Sequence, residues 1–179
     1  MRPSSRTQIL QAAVRVTERH GITALTLEAA AQEAGLTKPG LMYHFRTRDE
    51  LLMAIQRHLT ETWEQYLLTE LGKPLEDSTA PERAAAYARV NARGPASTAE
   101  LAFMVESATS PELAQVWNDL MARWVPQPPV PDPVQLDLFL ARLAADGLWL
   151  FEATRPAPLA PEVKEALIRR ITALTEPPA

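Results

Sequence analysis

Thr26-Leu-Glu-Ala-Ala-Ala-Gln-Glu-Ala-Gly-Leu-Thr-Lys-Pro-Gly-Leu-Met-Tyr-His-Phe45 reads as two short helices around a sharp turn, the order of a helix-turn-helix. Ala30, Ala31 and Ala34 are small enough for two helices to approach closely. Gly35 can adopt positive φ and so end the first helix in a tight turn. Leu36 is positioned to plug the space between the helices, and Thr37 to cap the second, with Pro39 in its first turn. A second helix this short, with a free N-terminus and Lys38 on it, fits a major groove and can direct N–H groups at phosphates.

Outward from this stretch the pattern stays helical, and alternating β-branched runs are few. Ser5-Arg-Thr-Gln8, Thr47-Arg-Asp-Glu50 and Ser97-Thr-Ala-Glu100 each fit a capping box. Ser110-Pro111-Glu112 and Ala160-Pro161-Glu162 put proline in a first helical turn. The spacing predicts nine helices, at about 5–20, 27–34, 38–44, 48–71, 80–92, 97–108, 111–124, 133–154 and 161–174, hence an all-α fold. Gly21, Gly35 and Gly72 are the expected stops. Ile9, Ala13, Val16 and Thr17, with Leu10 and Ala12, form the apolar face of the first helix; Leu51, Leu52, Ile55, Leu59, Trp63, Tyr66 and Leu67 form that of the fourth. Pro126-Gln-Pro-Pro-Val-Pro-Asp-Pro133 reads as an extended connector, Arg155–Pro161 as a second break, and Glu176–Ala179 as a frayed tail.

Charge is uneven. Residues 1–50 hold seven basic side chains (Arg2, Arg6, Arg15, Arg19, Lys38, Arg46, Arg48) against five acids (Glu18, Glu28, Glu33, Asp49, Glu50), a net +2 that leaves −6 for the rest of a chain totalling −4. A mildly basic head on an acidic body suits a chain in which only the head meets phosphates. The absence of cysteine excludes disulfides, thiolate metal sites and a cysteine nucleophile. No signal peptide and no apolar run long enough to cross a bilayer are visible, so the expected setting is cytoplasmic, with no membrane partner. His20, His44 and His58 form no metal-type pair, and no phosphate loop or nucleophile elbow is present. Glu61 and Glu64 read as solvated acids; no enzyme, metal or cofactor is expected.

Ile9-Leu-Gln-Ala-Ala13, Gly21, Thr26, Ala34-Gly35-Leu36-Thr37-Lys38, Leu41, His44-Phe45, Thr47-Arg48 and Leu51-Leu52 together resemble the tetracycline-repressor-like (TetR) family of bacterial regulators, over roughly residues 5–55. The resemblance implies a three-helix DNA-binding head at 1–47 and a ligand-binding, dimerising body at 48–179. It implies that Thr26 and Arg48 clamp phosphates, that Thr37, Lys38, Pro39, Gly40, Met42 and Tyr43 lie in or near the groove, and that His44 touches a phosphate rather than serving as a half-buried structural residue; Phe45 is assigned to the core. Three positions depart from the family pattern: Pro39 stands where glycine is usual, Met42 where a phosphate-contacting tyrosine is usual, and Arg48 where lysine is usual. Met42 has no hydroxyl to offer, and Tyr43 lies about 100° around an ideal helix, toward a base edge or a different phosphate.

The same resemblance implies that the last two helices pair with a second copy, giving a homodimer on a palindromic double-stranded operator, and that a small, largely apolar effector releases it. Helix 133–154 is apolar almost all round and should be buried on more than one side; Val163, Ala166, Leu167, Ile171 and Leu174 line helix nine. Trp63, Tyr66, Phe103, Met104, Trp117, Met121, Trp124 and Trp149 are candidate pocket linings, with Glu106 or Asn118 as polar anchor; plain core is the alternative for each aromatic and methionine. The competing reading of the whole chain is a helical ligand-binding or protein-interaction adaptor without sequence-specific DNA binding.

Overall fold

The computed structural model describes residues 4–94, 96–125, 130–155 and 157–176. Among them are nine α-helices and no strand: α1 Ser5–His20, α2 Leu27–Glu33, α3 Lys38–Met42, α4 Arg48–Leu71, α5 Ala80–Arg93, α6 Thr98–Ser107, α7 Pro111–Trp124, α8 Pro133–Thr154 and α9 Pro161–Ala173. Short 3-10 turns cover Ile22–Ala24 and Leu75–Asp77. The all-α expectation holds, with most helix limits within a residue or two. Residues 126–129 of the proline connector, Pro156 and the tail 177–179 lie outside the described residues. The chain forms two compact units, Met1–Glu61 with Ser97–Trp117, and Thr62–Ala96 with Asn118–Ala179. Packing therefore groups α6 with the head helices.

In the first unit Ile9, Leu10, Ala13 and Val16 of α1 pack with Leu25, Ala30, Ala31, Leu41, Phe45, Leu51, Leu52 and Ile55. The same core takes in Phe103 of α6 and Leu113 of α7. Helix α1 is capped one residue earlier than the sequence suggests. Ser4, not Ser5, accepts the Thr7 amide at 3.2 Å, because the helix already begins at Ser5. Gly21, at φ 79°, closes it by donating to the Thr17 carbonyl at 2.9 Å. Arg15 and Arg19 both reach Glu33 of α2, at 2.7 and 3.1 Å, so two of the head's seven cations bind α1 to α2.

Two carboxylates meet where α6 begins. Glu18 of α1 accepts the hydroxyls of Ser97 and Thr98, each at 3.1 Å. Ser97 caps Glu100, whose amide donates to it at 3.2 Å, but the Glu100 side chain does not complete the expected capping box. Its Oε2 is buried with no hydrogen-bond partner. Burial, and then the charge of Glu18, pushes the Glu100 carboxyl up to about 7.

In the second unit α5 packs on α8 through small residues: Ala84, Ala85, Ala88 and Ala92 against Leu138, Ala141, Ala145 and Leu148. Asp146 of α8 accepts the Tyr87 hydroxyl at 3.0 Å and the Asn91 amide at 2.6 Å, and Arg142 lies 3.5 Å away. Burial raises the Asp146 carboxyl, and those donors pull it back. Glu64 is not a solvated acid. Its Oε1 accepts Arg123 Nη2 at 2.7 Å, Arg123 Nε at 3.1 Å and Trp124 Nε1 at 3.1 Å. Helix α5 carries a full capping box, Thr79 with Glu82. Helix α8 buries Leu138, Ala141, Ala145, Leu148, Trp149 and Ala153. Its other side is exposed at Leu136, Leu140, Leu143 and Leu150, so within one chain it is not buried all round. Val163 and Leu167 of α9 are likewise open, and only Ile171 of that helix is buried.

The Glu100 carboxyl titrates at about 7 when folded, against an ordinary value of 4.5. Its contribution to stability is present below 4.5 and is lost as pH rises through 7. Glu100→Gln should flatten the decline in melting temperature between those values, read by circular dichroism. Melting curves that shift with pH in parallel for the two proteins would contradict this.

Candidate nucleic-acid interface

The turn between α2 and α3 is built as its residues dictate. Helix α2 ends at Glu33. Gly35, at φ 69°, then lets the Leu36 amide reach back to the Ala31 carbonyl at 2.9 Å and its own amide to Gln32 at 3.1 Å. Leu36 is half-buried against the core, as its position suggests. Thr37 accepts the Gly40 amide at 3.2 Å and starts α3. A Cβ on Gly40 would sit 3.2 Å from the Thr37 hydroxyl, so a side chain there would press on the cap. Helix α3 closes early: the His44 amide bonds the Leu41 carbonyl at 2.8 Å, tightening the last turn.

This geometry sorts the side chains of α3. Leu41 and Phe45 point into the core, at 0% and 3% exposure. Met42 is 39% exposed and Tyr43 86% exposed. The Tyr43 ring meets His44 edge-on, centroids 5.2 Å apart, and His44 is half-buried. Thr26, Thr37, Lys38 and Pro39 are exposed, and Gly40 is half-buried. Both threonine hydroxyls are already used as helix caps, Thr26 accepting the Ala29 amide at 3.0 Å. Lys38 is ion-paired across the turn with Glu28 and holds that carboxyl below its ordinary value. Both partners are exposed, so a phosphate can compete for the ammonium.

Arg48 is placed differently from its neighbours. Its Nε donates to the Leu25 carbonyl at 2.9 Å and its Nη2 to the Ile22 carbonyl at 3.1 Å. Its Nη1 lies 3.6 Å from the Glu106 carboxylate of α6. Glu106, expected as an effector anchor, thus faces Arg48. Two further cations of the head, Arg46 and Arg6, belong to no motif in the sequence. Arg46 is exposed, with no carboxylate partner for its side chain among the described residues. Arg6 lies 5.2 Å over the Phe45 ring. A count of basic residues was the only signal for either.

The candidate effector residues divide between the two units. Trp63 and Tyr66 meet edge-on at 6.4 Å, with Tyr66 56% exposed. Phe103 belongs to the core of the first unit, and Met104, on the same helix, is 46% exposed. Trp117 and Met121 are half-buried on α7, Asn118 is exposed, and Trp124 is fully buried with its indole N–H on Glu64. Trp149 is buried, and its indole N–H has no hydrogen-bond partner. A groove of about 370 Å³ lies elsewhere, between α8 and α9, lined by Leu148, Phe151, Leu159, Leu167, Ile171 and Leu174 with Arg170 among them. Helix nine's apolar face gave its only sign in the sequence.

Comparison with known proteins agrees with this architecture. Residues 9–55 match the tetR family of bacterial regulatory proteins, and residues 81–176 match the tetracyclin repressor-like C-terminal domain. The regulator BetI of Brucella anthropi is 35% identical over 92 residues, covering 51% of this chain. The chain spans less than half of that relative, 45% of its length. A transcriptional regulator from Rhodococcus sp. Rha1 has the same fold, with a TM-score of 0.66 at 24% identity over 96% of each chain. So does the multidrug binding protein EbrR, solved with imidazole, at a TM-score of 0.57 and 24% identity over 99% of this chain and 98% of its own. Because the C-terminal match alone spans more than half of the 179 residues and the N-terminal match covers the helix-turn-helix, the chain belongs to the tetracycline-repressor family of bacterial transcriptional regulators.

Proposed function

We propose that this chain is a cytoplasmic one-component repressor that binds a palindromic operator as a homodimer and is released by a small, largely apolar effector. The observation that carries DNA reading is Tyr43. It stands 86% exposed at the end of α3, while Leu41 and Phe45 on either side of it are buried. A large aromatic held outward by a packed helix suits a base edge in the major groove. His44, edge-on to its ring, with Lys38 and Arg46 serve as phosphate partners, and Thr26, Thr37, Pro39, Gly40 and Met42 form the surface that meets the backbone. Such contacts fix register, and Tyr43 supplies specificity.

The dimer reading is supported by the open side of α8. Leu136, Leu140, Leu143, Gly147 and Leu150 recur at alternating steps of four and three, the spacing of a helix–helix seam. The four leucines are 42–52% exposed. Phe151 and Leu167, also exposed, border the groove beside α9. A second copy of the same surface covers this stripe and sets two α3 helices roughly 34–36 Å apart. For the effector, the support is the unpartnered indole N–H of Trp149 and the Trp63–Tyr66 pair, in a fold shared with the multidrug binding protein EbrR, which was solved with imidazole and with malachite green.

Tyr43→Ala should leave the melting temperature unchanged and reduce discrimination between operator and scrambled duplex by about 1–3 kcal/mol, measured by fluorescence anisotropy. Equal discrimination by the two proteins would remove Tyr43 from the reading surface. Leu143→Glu should weaken self-association by about a hundredfold or more, since two leucines are lost per dimer at ~1.5 kcal/mol or more each. Sedimentation equilibrium checks this, and an unchanged dimer would contradict the α8 interface.

A further inference from the structure

Arg48 occupies the first residue of α4, where the helix dipole disfavours a cation. Asp49 and Glu50 beside it suit that end; Arg48 does not. Its guanidinium reaches across to the carbonyls of Ile22 and Leu25, the two residues that bound the 3-10 connection between α1 and α2. That connection delivers Thr26, the cap of α2, one residue later. A planar fork that bonds both carbonyls fixes the height of the α2 N-terminus against the first turn of α4. The third nitrogen faces Glu106 of α6, which supplies the only carboxylate paired with Arg48 among the described residues. Lysine, a point donor on a flexible stem, cannot span two carbonyls and a carboxylate at once.

We infer that Arg48 is a positioning residue rather than a phosphate clamp: it holds the α1–α2 connection, and so the seating of the reading helices, with Glu106 of α6 as its counter-charge. This departs from the role the family resemblance assigns to that position, and it rests on the proposed DNA-binding activity. It also gives α6 a direct hold on the head. Displacement of Glu106 would free one nitrogen of the fork and loosen both carbonyl bonds.

The two roles separate in Arg48→Lys, Glu106→Gln and the double variant, assayed on a duplex that the wild-type chain enriches from a random pool. A phosphate contact survives replacement by lysine and is not weakened when Glu106 loses its charge. A positioning fork survives neither change. The expected result is that Arg48→Lys binds about tenfold more weakly, the scale of a lost charge-assisted hydrogen bond, and Glu106→Gln about threefold more weakly, the scale of a partly exposed ion pair. The slope of log affinity against log salt stays that of the wild type, and the double variant is no weaker than Arg48→Lys alone. Wild-type affinity in Arg48→Lys, or an unaffected Glu106→Gln, would overturn the inference. So would an Arg48→Gln variant whose salt slope falls by about 0.9, the signature of one lost phosphate. Hydrogen exchange on the free proteins gives a readout independent of DNA: amides of residues 25–30 should exchange faster in both single variants, and unchanged exchange would overturn the inference. If the wild-type chain enriches no duplex while those amides do loosen, the DNA reading fails and the fork stands.

Discussion

The reading head depends on one backbone turn. Gly35 takes a left-handed conformation, and this lets the Leu36 amide return to the Ala31 carbonyl. Helix α2 must therefore stop, and the chain must leave at the angle that seats α3. The close approach is possible because Ala30 and Ala31 fill the contact with methyl groups only. With the angle set, burial of Leu41 and Phe45 leaves Tyr43 no direction but outward. An alanine at position 35 would find no steric obstacle at its Cβ, yet its positive φ would strain any side chain.

Electrostatics divides the basic residues of the head by task. Arg15 and Arg19 are tied to Glu33, and Arg48 to two carbonyls and Glu106. These cations hold helices to one another. Lys38 and Arg46 are exposed, the first in a solvent-facing pair with Glu28 and the second with no carboxylate partner for its side chain among the described residues. The head is also not a separate package: α6 shares its core through Phe103 and its polar contacts through Glu106, Ser97 and Thr98.

Much of this was legible before any coordinates, because it is local. Glycine stops, threonine caps and the apolar face of α1 depend on residues three or four apart, and each lies where the spacing puts it. The misses within reach of local rules were small. Ser4 and Ser5 compete for one cap, and only the first helical residue decides between them. Thr79-Ala-Pro-Glu82 is a full capping box that local spacing could also have shown. What the sequence could not reveal is tertiary. Arg48 and Glu106 are far apart in the chain, as are Tyr87 and Asp146, and no periodicity links them. The candidate effector residues share chemistry but divide between the two units: Phe103 is core in one, while Trp63 and Tyr66 pair in the other. The all-round apolarity of α8 was read correctly as composition, but a single chain covers only one side of it.

In the proposed complex two copies of this head read one face of a duplex with two-fold symmetry. Hydroxyl-radical footprinting on a duplex enriched by the wild-type chain tests it most directly. The expected result is two protected patches related by a dyad, their centres about 10–10.5 base pairs or a multiple of that apart. A single patch without symmetry, or uniform weak protection along the whole duplex, would contradict it.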